Sequence, residues 1–281
     1  MTRDQTEREA ISQTPETLAE ALAHDFDQLP VLHDHRAVDS DTASGDATPC
    51  EPLLSVVVPM FNESATVADI VQQILTVEVP ARIELIAVDD ASDDNSAEIV
   101  GGFEDERVTV IRRTENGGKG AAIRDGLALT TGDYVVIQDA DLEYDPSDWA
   151  RMLAVLENDE VLAVYGSRFL GSSMDRGRWQ NRAANWALSR FTSVLFGHTL
   201  TDMETCYKMI DREVFLGLEL SANRFDIEPE ITAKLLRGGH RIVEVPISYT
   251  PRTHTEGKKI GWRDGVQAGS SLLKWWFVLS R

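Results

Sequence analysis

Apolar and polar positions along this chain change character near residue 53. From there the pattern predicts a buried strand over 54–58, ended by Pro59. A helix over 64–76 follows, with Val67, Ile70, Val71, Ile74 and Leu75 on one face and Asn62 or Ser64 as its cap. A strand over 83–88 runs into Asp89-Asp90, and a helix over 95–103, a strand over 108–111, a helix over 119–130 and a strand over 134–138 continue the alternation. A helix over 146–156 and a strand over 162–166 complete the regular part. Strands alternating with helices imply an α/β fold with a mostly parallel sheet and right-handed crossovers.

The second half is less regular. It predicts an amphipathic helix over 180–196, a strand over 205–210, and a helix over 229–237 closed by Gly238-Gly239. A half-buried strand over 242–249, a basic loop over 251–259 and a helix over 264–279 with aromatics crowded at its end follow. Residues 1–50 lack such periodicity beyond a short helical stretch over 15–26. They are acidic and poor in aromatics, so we expect a largely disordered tail over 1–50, an α/β domain over 51–265 and a C-terminal amphipathic helix over 266–281.

Composition narrows the partners. With 281 residues and 42% hydrophobic side chains, the chain can bury a substantial core. It carries 47 acidic and 27 basic side chains, a net charge of −20, of which the first fifty residues hold −8. That field disfavours nonspecific nucleic-acid binding and suits solubility at high salt. Cys50 and Cys206 cannot make a disulfide framework, which fits a reducing compartment. The first ten residues do not read as a signal peptide, and no run approaches the roughly 20 apolar residues that span a bilayer. The expected location is cytoplasmic, with peripheral contact to the inner face of the membrane suggested by Trp186, Phe191 and Phe196 in one helix and Trp275-Trp276-Phe277 in the last. The same aromatics could instead pack on the core or on a second subunit; oligomeric state is not legible.

The chemistry concentrates where strands end. The run 135–138 stops at Asp139-Ala140-Asp141, with Glu143 two residues on. Ligands of open α/β sheets bind outside the carboxyl ends of strands, and Mg²⁺ is held by one or two carboxylates plus substrate phosphates. The motif reads as a metal-diphosphate site or as an acidic turn. Three further loops should share its sheet edge: Pro59-Met60-Phe61-Asn62-Glu63, Asp89-Asp90-Ala91-Ser92-Asp93-Asp94, and Asn116-Gly117-Gly118-Lys119-Gly120. Carboxylates in the first two can accept from a base or ribose, and the glycines let backbone approach a ligand or a neighbouring strand. Asn62, Asp93-Asp94-Asn95-Ser96 and Gly117-Gly118 each also read as plain caps or turns. Neither Gly-x-Gly-x-x-Gly after the first strand nor a phosphate-binding Gly-x-x-x-x-Gly-Lys-Ser/Thr loop occurs. A diphosphate would therefore be held by a metal and basic side chains.

Together with Gly166-Ser167-Arg168, the segments 202–208, 224–230 and 244–249 and the Arg252–Lys259 loop, these loops resemble an inverting family 2 glycosyltransferase of the GT-A fold. Within it the chain is most similar to the dolichol- or polyprenyl-phosphate mannose or glucose synthases, over about residues 53–265. The resemblance implies a Rossmann-like, mostly parallel sheet flanked by helices, with C-terminal acceptor-side helices. It implies Pro59, Asn62, Glu63, Asp89, Asp90, Lys119 and Ala140 around the nucleotide sugar. Asp139 and Asp141 would hold Mg²⁺ or Mn²⁺, with Glu143 as third ligand. Arg168, Arg182, Arg252 and Lys258 would hold donor or acceptor phosphates, with Asp141, Arg168, Arg252 and Lys258 at the reacting centre. Many relatives carry C-terminal membrane spans, which this chain does not show.

The expected activity is metal-dependent transfer of a hexose from GDP-mannose or UDP-glucose to a polyprenyl phosphate, whose charge makes a base unnecessary. A soluble or glycan hydroxyl acceptor would need a general base, for which Asp226, Glu228 and Glu230 are candidates. A nucleotide-sugar-binding protein without turnover is the alternative from another class. His254 reads as a surface histidine.

Overall fold

The structure is a computed structural model and describes residues 51–158, 160–170, 179–252 and 262–278. The expected tail with its 15–26 helix and Cys50, and His254, Lys258 and Lys259 in the basic loop, lie outside the described residues.

Seven strands form one sheet: β1 (Leu53–Met60), β2 (Arg82–Asp89), β3 (Val108–Arg112), β4 (Tyr134–Ile137), β5 (Ala163–Ser167), β6 (Lys208–Asp211) and β7 (Ile242–Pro246). Their order is β3-β2-β1-β4-β6-β5-β7. β1 lies at the centre of the parallel part, registered Val57↔Ile86 against β2 and Val57↔Ile137 against β4. Val56, Val57 and Val58 are all fully buried, as β-branched residues in a sheet covered on both faces should be.

β1 runs through Pro59, two residues past its expected end. Val57 O accepts from Gln138 N, so with a period of two the missing N–H of Pro59 falls on the β4 side. β4 has already ended there, and no ladder bond is lost. The larger departure from an all-parallel reading is β6, which pairs antiparallel with both β4 and β5. Its start, Lys208, lies near the carboxyl end of β4, because Met209 pairs with Val136. The expected strand over 205–210 is thus shifted, and residues 202–207 form a loop over the sheet edge that carries the acidic motif.

Helices α1 (Val67–Thr76), α2 (Ser96–Gly101), α3 (Lys119–Leu127) and α4 (Trp149–Leu156) follow β1 to β4, with a 3₁₀ turn at Pro146–Asp148 before α4. α1 buries Val67, Ile70, Val71 and Ile74, the i, i+3, i+4, i+7 face the sequence predicts. Each such side chain contributes about 1.5–3 kcal/mol relative to exposure, so one Ile→Ala here costs more than any surface change. Its N-cap is Thr66, not Asn62 or Ser64, which are drawn away by the next loop. The second half adds α5 (Trp179–Phe196), α6 (Arg212–Gly217), unmarked in the sequence pattern, α7 (Ile227–Arg237) and α8 (Trp262–Val278). α5, α7 and α8 share a small second core of Met203, Ala233, Leu272 and Trp275, with Trp276 Nε1 donating to Leu195 O at 3.2 Å. Trp186, Val194, Phe277 and Val278 remain more than half exposed on this layer. Among the described residues no helix is long and apolar enough to cross a membrane.

Candidate functional site

The loops after β1 and β2 are stapled to each other. Asn62 has a φ of 56° and, in place of capping α1, its Oδ1 accepts from Asp93 N at 2.9 Å. In return Asn62 N, Glu63 N and Ser64 N donate to Ser92 Oγ, Ser96 Oγ and Asp94 Oδ2. Burial would raise Asp94, but hydrogen bonds from Ser96 and Ser64 outweigh it and hold its carboxyl at about 2.

Asp89 and Asp90 are both buried and both fully engaged. Asp89 takes Arg112 Nε at 3.1 Å and the Ser92 hydroxyl. Asp90 Oδ1 accepts from Arg113 Nη1 at 2.6 Å and Gly117 N at 2.9 Å, and its Oδ2 from Gly118 N at 2.7 Å. Asp90 therefore fixes the glycine loop. That loop needs its glycines for protein packing: Gly118 has a φ of 94°, and a Cβ on Gly118 or Gly120 would meet Asn223 O at 2.6 Å or Ala222 O at 2.5 Å. The approach they permit is to the 222–224 backbone. Between the tips of β2 and β3 lies a cleft of about 480 Å³ lined by Ala91, Ser92, Asp93, Arg112, Arg113 and Thr114.

The tip of β4 differs. Asp139, with a quarter of its side chain exposed, has one ammonium partner among the described residues, Lys119 Nζ at 2.8 Å. Asp141 Oδ1 accepts from Glu143 N at 3.1 Å. Burial, and then the Asp139 and Glu143 carboxylates, push the Asp141 carboxyl up to about 7. Leu142, at a φ of 59°, turns the chain between them, and Ala140 O accepts from Thr66 Oγ1 at 2.7 Å. Burial would lower Lys119, yet Asp139, with Cys206 and Glu228 adding to it, holds its pKa well above the ordinary value.

Arg252 joins this edge. Its Nη2 lies 2.9 Å from Glu63 Oε2 and 3.1 Å from Thr66 Oγ1, and its Nε donates to Asp141 O at 2.9 Å. Its backbone N donates to Glu143 Oε1 at 2.7 Å, while Tyr249 OH donates to Glu143 Oε2 at 2.8 Å. Glu143, expected as a third metal ligand, is thus spent on anchoring the 249–252 segment. Among the described residues no three His, Cys, Asp or Glu side chains converge as a metal cluster.

Two further expected site residues are engaged within the protein. Arg168, expected on a phosphate, is held through Nε and Nη2 by both oxygens of the fully buried Asp202, each at 2.7 Å, and its guanidinium lies 5.1 Å from the Tyr249 ring centre. Burial would lower it, but Asp202 keeps it firmly charged. Glu228, expected as a base, lies between Lys119 Nζ at 3.2 Å and Lys208 Nζ at 2.5 Å. Both of its oxygens thus face lysine ammonium groups of the protein itself. Glu230 is wholly buried and binds Ser221 N and Ala222 N, and Asp226 Oδ1 accepts from Arg224 N at 3.1 Å. Arg182 lies half-buried in the first turn of α5.

Sequence reasoning missed Lys208 and Glu204. Lys208 is a lone lysine at the start of an apolar strand and is fully buried, which was its only available signal. Glu204 lies in the 202–207 loop; its Oε1 is shielded and accepts no hydrogen bond. Burial pushes its carboxyl up to about 7, with Lys208 opposing and Glu228 adding.

Residues 55–217, more than half of the chain, match the family described as glycosyl transferase family 2. Glycosyltransferase AglD of Haloferax volcanii is 27% identical over 238 residues, 81% of this chain and 37% of that protein, so the chain spans well under half of this relative's length. Polyprenol monophosphomannose synthase of Mycolicibacterium smegmatis is 27% identical over 207 residues, 70% of this chain and 77% of that protein. Among solved structures, glucosyl-3-phosphoglycerate synthase from Mycobacterium tuberculosis, in complex with Mn²⁺, uridine diphosphate and glucosyl-3-phosphoglycerate, aligns with a TM-score of 0.61 at 20% identity, covering 80% of each chain. The likeness establishes the GT-A sheet and its flanking helices.

Proposed function

The chain belongs to glycosyl transferase family 2, and from that premise we propose that it transfers a hexose from a nucleotide-diphosphate sugar, GDP-mannose or UDP-glucose, to a polyprenyl phosphate. The observation that carries the donor half is the carboxylate pair at the tip of β4. Burial, and then the charge of Asp139 and Glu143, pushes Asp141 up to about 7, and a bound divalent cation would favour its charged form. Two carboxylates leave room for phosphate oxygens, as Mg²⁺ or Mn²⁺ sites on nucleotides require. When bound, the ion would neutralise charge developing on the diphosphate.

The chain's own residues would do the rest. The stapled loops around Pro59, Asn62, Glu63, Asp89 and Asp90, with the cleft at Arg112 and Arg113, form a rigid wall for the nucleoside. Lys119 supplies a cation beside Asp139, and Arg252 holds the loops after β1 and β4 at one spacing. An acceptor phosphate oxygen would form the bond to the anomeric carbon as the bond to the diphosphate breaks, with inversion and release of the nucleoside diphosphate. Such an acceptor is already anionic, with a second pKa of about 6, and needs no base. Arg182 and Lys258 are the cations assigned to it. The acceptor class itself is supported by relatives such as the polyprenol monophosphomannose synthase. Peripheral membrane contact would use the exposed Trp186 and Phe277; vesicle flotation that Trp186→Ala and Phe277→Ala leave unchanged would remove that element.

Transfer to a hydroxyl acceptor is the second reading, and Glu204 is the observation that favours it, as a carboxyl raised to about 7 whose Oε1 accepts no hydrogen bond. Incubation with radiolabelled GDP-mannose or UDP-glucose, Mg²⁺ and polyprenyl phosphate separates the readings. Label in the organic phase is the expected result, and label in an aqueous product supports the hydroxyl acceptor. Donor that stays intact with every acceptor leaves a binding protein without turnover.

A further inference from the structure

A buried row of alternating charges runs inward from the carboxylate pair. Asp139 Oδ1 lies 2.8 Å from Lys119 Nζ, Lys119 Nζ lies 3.2 Å from Glu228 Oε1, and Glu228 Oε2 lies 2.5 Å from Lys208 Nζ. Lys208 is wholly buried, donates also to Thr205 O, and sits 4.9 Å from the Tyr165 ring centre. Glu228 is 3% exposed. A buried ion pair is weak evidence for stability, and its best-attested use is to fix an arrangement or a switch.

The contacts of Lys119 are unequal. It hydrogen-bonds Asp139, whereas Glu228 Oε1 is shielded from solvent and accepts no hydrogen bond despite lying within ion-contact distance of the same ammonium. Leaving a buried carboxylate oxygen without a donor is costly. A lysine ammonium carries three donors on a flexible stem and can turn from one oxygen to the other.

We propose that Lys119 is a stand-in counter-cation for Asp139, and that Glu228, itself fixed by Lys208, is the positioning residue that receives the Lys119 ammonium when a divalent cation takes Asp139. The proposal rests on the reading of Asp139 and Asp141 as metal ligands. Two cations on one carboxylate oxygen repel each other, the more so where water only partly reaches the site. Glu228 Oε1 gives the ammonium a second anionic partner without backbone movement. Lys208 already neutralises part of Glu228, which keeps Glu228 from drawing Lys119 off Asp139 beforehand. The edge stays close to charge balance before and after the exchange.

Binding of Mn²⁺ alone to the full chain, read from the free Mn²⁺ signal by electron paramagnetic resonance, tests this without turnover. Lys119→Gln removes the competitor and should tighten Mn²⁺ binding by about fivefold or more. Glu228→Gln leaves the ammonium with Asp139 as its one anionic partner and should weaken binding by a similar factor. The double variant decides between exchange and simple charge: it should bind Mn²⁺ as Lys119→Gln does, because Glu228 acts through Lys119. If Glu228→Gln weakens Mn²⁺ equally with and without Lys119, or if Lys119→Gln weakens it, the proposal is overturned. Should Glu228→Gln not fold, Lys119→Arg carries the test: a guanidinium spanning both carboxylates should weaken binding, and equal or tighter binding overturns the idea. Asp141→Asn separates the premises. If it leaves Mn²⁺ affinity unchanged, the metal reading fails; if it weakens Mn²⁺ while the other variants miss their signs, the exchange alone fails.

Discussion

Two neighbours of β1, the strands β2 and β4, end in closely spaced aspartates at the same edge of the sheet, and the two tips are electrostatic opposites. At β2, Asp89 and Asp90 are met by Arg112, Arg113, the Ser92 hydroxyl and two glycine amides. At β4, Asp139 and Asp141 share one ammonium and one amide among the described residues, and Asp141 rises to about 7. The difference teaches that an acidic strand end is defined by its donors rather than by its carboxylates. Where donors match the oxygens, the acids are rivets. Where they fall short, the acids keep oxygens open to the cation we propose.

The comparison is broken most directly by deleting one acid at each tip. Asp141→Ala should lower transfer roughly a thousandfold, while the thermal midpoint of the metal-free protein at pH 8 stays within about 2 °C of the parent. A large loss of stability would make Asp141 a rivet after all. Asp90→Ala should do the reverse, costing about 3 kcal/mol in urea unfolding, because a part-buried Arg113 and two amides lose their acceptor. A variant as stable as the parent would refute the assignment of Asp90.

Metal sharpens the contrast. Mn²⁺ at a hundred times its Kd should add about 2.7 kcal/mol to the folded state, and EDTA should remove it. The gain should persist in Ser92→Ala, which alters the β2 tip, and vanish in Asp141→Asn.

The smallest effect is a pH dependence in the metal-free chain. Glu204 and Glu244 are raised from 4.5 to about 7, chiefly by burial. The folded state then binds more protons than the unfolded chain between those values, so stability falls as pH rises from about 4.5 through 7. Acidifying from pH 8 to 6 should raise the thermal midpoint by a few degrees, and Glu204→Gln should flatten that slope. An unchanged slope in the variant would mean that Glu204 is not the protonated group.

Much of the donor half was legible because parallel strands state their burial as apolar runs and their ends as polar loops. The boundaries of α1, β2, β3 and β4 fall within a few residues of the pattern. Asn62 could be read as a cap or as a pocket residue, because its partner, Asp93 N, lies 31 residues away. The second half was harder. Arg168 looked like a phosphate ligand because nothing local reveals Asp202, 34 residues on, which takes it bidentately. Glu228 looked like a base because its two lysines come from α3 and β6.

The sequence by itself determined the α/β alternation, the acidic loops at the strand ends and the absence of a glycine nest for a diphosphate, since each follows from the order of residues within one short segment. Tertiary structure alone decided which carboxylates are satisfied, that β6 runs antiparallel and brings Lys208 and Glu204 to the working edge, and that Arg252 closes on Glu63. Charge pairing depends on distances of about 3 Å between segments far apart in the chain, and no local pattern encodes it.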